Sequence, residues 1–190
     1  MLIGDSHAAM LSKVVIEAAN DLGANSVVFT KSNCKFILAN HNLSKLNLAL
    51  DCYLHNNQIL EYLKFHHVDV LIISYDSAKT KDISNIFQNI SLLQKYVKRT
   101  IFIGPIPEYN LATYLSFHPS ADAREESKYI SSHLAAFNTS YIDAYEIFCP
   151  NYICQNLIGM YYQDYGHLNV RGAEAMKASI KDTLNNPPRV

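Results

Sequence analysis

The sequence predicts an α/β protein: a three-layer sandwich with a five-stranded parallel sheet and helices on both faces. Three observations predict it. Apolar stretches bounded by turn signals alternate with amphipathic stretches throughout the chain. The middle stretch, Val68 to Ile73, is apolar and β-branched, as suits a strand buried on both faces. No repeat, low-complexity tract or linker interrupts the 190 residues, so one core and one domain over 1–190 are expected.

The elements follow in order. Met1 to Ile3 reads as a short buried strand that Gly4 breaks. Leu11, Val14, Val15, Ala18 and Leu22 keep the spacing of one helix face, closed by Gly23. Ser26 to Phe29 reads as strand two, and a helix is expected around Asn56 to Phe65 before strand three at Val68 to Ile73. Ile83, Ile86, Phe87, Ile90 and Val97 mark the next helix face. Thr100 to Ile103 reads as strand four, stopped by Gly104 and Pro105. A helix over Asp122 to Phe137 and a strand at Ser140 to Ile142 follow. Ala173, Met176, Ile180 and Leu184 form the face of a last helix, ended by Asn-Asn-Pro-Pro.

Composition excludes several roles. The net charge is -1 and the pI about 6.7, with no basic stripe, so nucleic acid is not an expected partner. The longest apolar runs, such as Val70 to Ile73, are far too short to span a membrane. Met1 leads straight into the first strand without a charged leader, so a piece of a longer protein is expected. The four cysteines fall as Cys34 with Cys52, then Cys149 with Cys154, and no C-x-x-C occurs. Four cysteines allow three pairings, which the sequence leaves open. Two local disulfides are expected because each pair lies in a segment that reads as loop. Their formation would imply an oxidising compartment.

Chemistry concentrates at the two ends. Gly4-Asp5-Ser6-His7 follows strand one and opens helix one, which sets Ser6 at the mouth of the sheet beside helical N–H groups. A serine hydroxyl is a weak nucleophile that needs a base, and its oxyanion needs donors, the Ser6 N–H being the first. The plain alternative is that Ser6 only caps helix one. Asp164-Tyr165-Gly166-His167 precedes the last helix. An Asp and a His three apart on a turn can face one point, the acid on Nδ1 and Nε2 left for the serine proton. Here too the plain alternative is helix capping.

The Gly-Asp-Ser block after strand one and Asp-x-x-His-Leu-Asn-x-x-Gly-Ala before the final helix resemble the SGNH (GDSL-type) hydrolase superfamily. That resemblance spans the chain and implies a flavodoxin-like fold acting on esters. It also implies Ser6 as nucleophile, with His167 and Asp164 as base and orienting acid. His7, the Gly104-Pro105-Ile106-Pro107-Glu108 segment and the cysteine pairs resemble a narrower group. These are the SGNH domains fused behind the acyltransferase family 3 membrane domain of bacterial O-acetyltransferases. This implies acetyl transfer to a cell-surface glycan such as lipopolysaccharide O-antigen, with a glycan acceptor and an acyl donor as partners. It further implies a membrane-embedded acyltransferase domain in the same chain, a periplasmic location tethered to the inner membrane, and no cofactor or metal.

The middle blocks depart from the superfamily. It supplies a Gly after strand two and an Asn after strand three as further oxyanion donors. This chain has Thr30-Lys31-Ser32-Asn33-Cys34 and Ser74-Tyr75-Asp76-Ser77 there. Backbone N–H groups near Ser32 or Asn33 are the substitutes available, while a carboxylate at Asp76 would repel an oxyanion. Among the other histidines, His66 and His67 are expected at the negative end of a helix. Tyr161, Tyr162 and Tyr165 flank the Asp164–His167 turn as packing or as a sugar-stacking wall. Asn42-Leu43-Ser44 and Asn138-Thr139-Ser140 match glycosylation acceptors. Rival readings are a free-standing acetylesterase, a non-catalytic glycan-binding module, and a metallophosphoesterase, whose Gly-Asn-His-Asp and Gly-His-x-His segments are missing here.

Overall fold

The computed structural model describes residues 1–36, 47–76, 80–109, 121–154 and 160–186. The strands are β1 (Leu2–Gly4), β2 (Val28–Thr30), β3 (Val68–Ser74), β4 (Val97–Ile103) and β5 (Thr139–Ile142). The helices are α1 (Ser6–Asp21), α2 (Asn47–Phe65), α3 (Thr80–Leu93), α4 (Ala121–Leu134), α5 (Ala144–Phe148) and α6 (Val170–Asn185). All strand pairs are parallel, in the order β2-β1-β3-β4-β5. The expected fold class is therefore observed. In this order the sheet grows one way from β1 and the other way from β3. The crevice at their carboxyl ends is where such folds bind ligands.

Alternation along the strands divides the core in two. Leu2, Ile72, Ile101, Ile103 and Ile142 pack with α1 and α6, through Leu11, Val14, Ala18, Ala173, Met176 and Ile180. Ile3, Leu71, Ile73 and Phe102 face the other way, against Ile59 and Leu63 of α2, Phe87 and Ile90 of α3, and Ile130 and Leu134 of α4. Each such side chain contributes roughly 1.5–3 kcal/mol on burial. α1 and α6 are also joined across their exposed edges by Lys177 to Glu17 at 2.7 Å and Lys181 to Asp21 at 2.9 Å.

Several boundaries differ from the sequence expectations. Gly4 extends β1 rather than breaking it, pairing with both Thr30 and Ser74. Its φ is +152°, and a Cβ there would run into the Ser74 carbonyl oxygen and the Ala8 side chain. Only glycine lets β1 end this close to β3 and turn at once into α1. α2 begins at Asn47, well ahead of Asn56. Its first half reads as loop from local pattern, but Asn56 donates to the Lys35 carbonyl at 3.0 Å and Cys52 is bonded to Cys34.

Val97 belongs to β4, not to the α3 face. Gln94, Lys95 and Tyr96 close a turn onto Ile90, Leu92 and Leu93, and Val97 pairs with Val68. The side chains of Ile83 and Ile86 lie outside the described ones. α5 was not anticipated, being a single short helix capped by Asp143, whose side chain accepts the Glu146 N–H.

The two disulfides are Cys34–Cys52 and Cys149–Cys154. The first ties the segment after β2 to α2, so only one partner of that pair lies in loop. The second brackets the turn after α5. His41, His118, Asn42 and the final Pro-Pro lie outside the described residues. Among the described residues no helix is long and apolar enough to cross a membrane.

Candidate active site

Ser6 is the first residue of α1, directly after the glycine that ends β1. Asp5, not Ser6, caps the helix, its carboxylate accepting the His7 N–H at 2.9 Å. The same carboxylate accepts the Asp76 N–H at 3.0 Å and so ties the end of β1 to the end of β3. The first helical hydrogen bond runs from Ala9 to Asp5, which leaves the Ser6 hydroxyl and N–H pointing out of the helix start.

The opposite wall is the turn before α6. Asn169 caps that helix, accepting the N–H groups of Arg171 and Gly172 at 2.9 and 3.1 Å. Asp164 and His167 are thereby released from the capping role considered for them. Asp164 Oδ1 accepts the N–H groups of Gly166 and His167 at 3.0 and 2.8 Å, which closes the turn. Burial pushes the Asp164 carboxyl up, but these two N–H groups and the His167 ring outweigh it and hold the acid below its ordinary value.

Beneath, the Gln163 N–H bonds the His167 carbonyl, and Asn169 bonds Tyr161. The loop after β4 buttresses the turn from the side. The Tyr109 N–H donates to the Tyr165 carbonyl at 2.8 Å, and the buried Tyr162 hydroxyl donates to the Pro107 carbonyl at 2.7 Å. Tyr162 is thus packing, whereas Tyr165 is half exposed.

The two walls meet in a hydrogen-bonded chain. His167 Nε2 lies 2.8 Å from Ser6 Oγ, and His167 Nδ1 lies 2.9 Å from Asp164 Oδ2. With the proton on Nδ1, held by the carboxylate, the Nε2 lone pair is free to accept a hydrogen bond from the Ser6 hydroxyl. The sequence-expected residues Ser6, Asp164 and His167 are brought together in full. A cavity of about 580 Å³ opens beside them, lined also by Lys13, Ser32, Asn33 and Gln163. Asn33 has φ 56°, the left-handed conformation that glycine adopts most readily and asparagine tolerates. It lies in the segment after β2 where the resemblance calls for a glycine.

Sequence reasoning did not find the group behind Ser6. His7 is 4% exposed and stacks on His167 with ring centroids 5.2 Å apart. Its Nδ1 is 3.6 Å from Asp5 Oδ1 and its Nε2 3.4 Å from Glu108 Oε1. Neither contact has hydrogen-bond geometry, so the attraction is chiefly charge on charge. Burial pushes the imidazole down, but the Asp5 and Glu108 carboxylates beside it and the charge of Asp76 push it up to about 10. Ligand atoms of His7, Asp76 and Glu108 lie within 4.8 Å of one another, a spacing in which a divalent cation would fit. A proton on His7 places positive charge in the same space. The signal available in sequence was an acid just past the end of β1, of β3 and of β4, around a histidine on the first helical turn.

Among the remaining histidines, His66 Nδ1 lies 2.9 Å from the Tyr62 carbonyl oxygen at the end of α2, as expected of a helix C-terminus.

No curated protein matches the chain in a sequence search. In structure it is similar to the periplasmic domain of the Salmonella ser. Paratyphi A lipopolysaccharide acetyltransferase. That match has a TM-score of 0.76 at 23% identity and covers 97% of this chain and 82% of that one. It is similar also to a lipase/acylhydrolase from Enterococcus faecalis, with a TM-score of 0.62 at 16% identity, covering 100% and 98%. The acetylxylan esterase Axe2 from Geobacillus stearothermophilus, as a catalytic mutant, matches with a TM-score of 0.57 at 12% identity, covering 97% and 93%. These likenesses establish the fold. The model of the SGNH domain, the form fused to AT3 domains, matches residues 1–182, and the chain belongs to that family.

Proposed function

We propose that the chain is the extracytoplasmic acyltransferase domain of a longer membrane protein, transferring an acetyl group to a cell-surface glycan through an acyl-Ser6 intermediate. The observation that carries the reading is the unbroken hydrogen-bonded chain from Ser6 through His167 to Asp164. His167 Nε2 takes the proton as Ser6 Oγ attacks the donor carbonyl. Asp164 holds the ring in the required tautomer and stabilises the imidazolium. The Ser6 N–H, at the positive end of α1, faces the oxyanion. The backbone of the Ser32–Asn33 turn is the second source of donors. Collapse of the tetrahedral intermediate expels the donor's leaving group, which receives the His167 proton and leaves acetyl-Ser6. A glycan hydroxyl, deprotonated by His167, then attacks and regenerates the serine.

Family membership supports a membrane-embedded AT3 partner domain, which would bring the acyl donor to this site. Two disulfides fit the oxidising side of the membrane. The free-standing acetylesterase stays as the second reading, because Ser6 and His167 are partly exposed and water reaches them. Replacing Ser6 by Ala is expected to abolish hydrolysis of p-nitrophenyl acetate while leaving the thermal melt unchanged. Wild-type turnover in that variant would end the reading. Labelled acetyl recovered on a glycan, rather than only as free acetate, separates transferase from esterase.

A further inference from the structure

The acyl-serine chemistry leaves His7 without a task, although no other ring touches His167 more closely among the described pairs. Among the described residues, the charged and titratable groups facing it come from four places. Asp5 ends the β1 turn, Asp76 follows β3, Glu108 follows β4, and His167 precedes α6. Three of these are carboxylates, gathered around the histidine that follows a serine whose reaction passes through an oxyanion. Left uncompensated, they would oppose that charge in a site of low dielectric. Asp76 is the sharpest case, since it stands where the superfamily resemblance calls for a neutral Asn donor.

The imidazole is placed to compensate them. A neutral ring has one N–H and one lone pair, so with a carboxylate at each nitrogen it would turn its lone pair on one of them. Only the doubly protonated ring suits Asp5 on Nδ1 and Glu108 on Nε2 together.

We propose that His7 is a positioning residue held as a fixed cation, which offsets part of the negative charge of Asp5, Asp76 and Glu108 and backs the ring of His167, so that the Ser6 centre tolerates an oxyanion. This inference rests on the reading of Ser6 as nucleophile. The same carboxylates that raise the His7 imidazole to about 10 keep it charged at neutral pH.

The test uses this 190-residue chain and p-nitrophenyl acetate. His7→Gln is expected to lower kcat roughly 100-fold, the size of a lost oxyanion contact, with KM little changed. Adding Asp76→Asn to it removes one negative charge from the cluster and is expected to recover at least about tenfold. A ring wedged only for packing gives no such rescue. The wild-type protein supplies a measurement free of folding effects. Imidazole 15N shifts at about pH 8, where an ordinary histidine is neutral, should show both His7 nitrogens protonated.

Four results overturn the proposal: wild-type kcat in folded His7→Gln, no rescue in the double variant, a neutral His7 tautomer, or a stoichiometric divalent metal whose removal by EDTA abolishes turnover. Ser6→Ala, assayed in parallel, separates the failures. If it retains activity the nucleophile reading falls; if it is dead while His7→Gln is normal, only the His7 inference falls.

Discussion

Two imidazoles lie side by side here in opposite surroundings. His167 is partly open to the cavity, with one carboxylate on Nδ1 and a serine hydroxyl on Nε2. His7, 5.2 Å away, is closed from solvent and carries a carboxylate at each nitrogen. The residue type is the same and the chemistry is not. A ring with one acid and one hydroxyl can pass a proton back and forth. A ring between acids in a dry pocket keeps its proton and acts as a charge. Environment, more than identity, assigns the role.

The largest expected effect breaks the His167 side. Asp164→Asn removes the acceptor that fixes the Nδ1 proton, so kcat should fall roughly 10³-fold, read in the same aryl acetate assay. The protein should stay folded, because Asp164 is exposed and Asn169 holds the α6 cap. A loss of only a few-fold would mean that Asp164 is not the orienting acid.

The next effect sharpens the His7 side through pH. Its imidazole is raised from 6.5 to about 10 in the folded chain. A raised group contributes stability that is complete below its unfolded value and lost as pH rises through the folded one. Urea melts between about pH 6.5 and 10 should therefore show the wild type losing stability that His7→Gln does not lose. Parallel curves would remove the charge from the account.

The smallest effect concerns what joins the two sides. The loop bearing Glu108 is bonded to the turn bearing His167 by the Tyr162 hydroxyl on the Pro107 carbonyl. Tyr162→Phe leaves that buried carbonyl unpaired and should cost about 1–2 kcal/mol in chemical denaturation.

Much of this was legible beforehand because it is local. The α1 face of Leu11, Val14, Val15 and Ala18 and the α6 face of Ala173, Met176 and Ile180 are set by helical spacing and are buried as expected, whereas Leu22 is exposed and Leu184 only partly buried. Ser6, Asp164 and His167 sit at strand and helix junctions, whose carboxyl-end position follows from parallel topology. Elements held by distant partners read poorly. α2 starts early because Asn56 and Cys52 are anchored to residues after β2, and Val97 joins β4 because Val68 is there to pair with it. Neither partner is within a local window.

The sequence by itself determined the alternating α/β order and the two blocks that carry the serine, the acid and the base, since periodicity and turn chemistry are properties of neighbours. Tertiary structure decided which residues cap the two helices, because only there does Asp5 take one cap and Asn169 the other, leaving Ser6, His167 and Asp164 to face one another. It also decided the state of His7. Asp5, Asp76 and Glu108 are far apart in the chain and meet only where three parallel strands end side by side. The charge on a buried imidazole depends on that meeting.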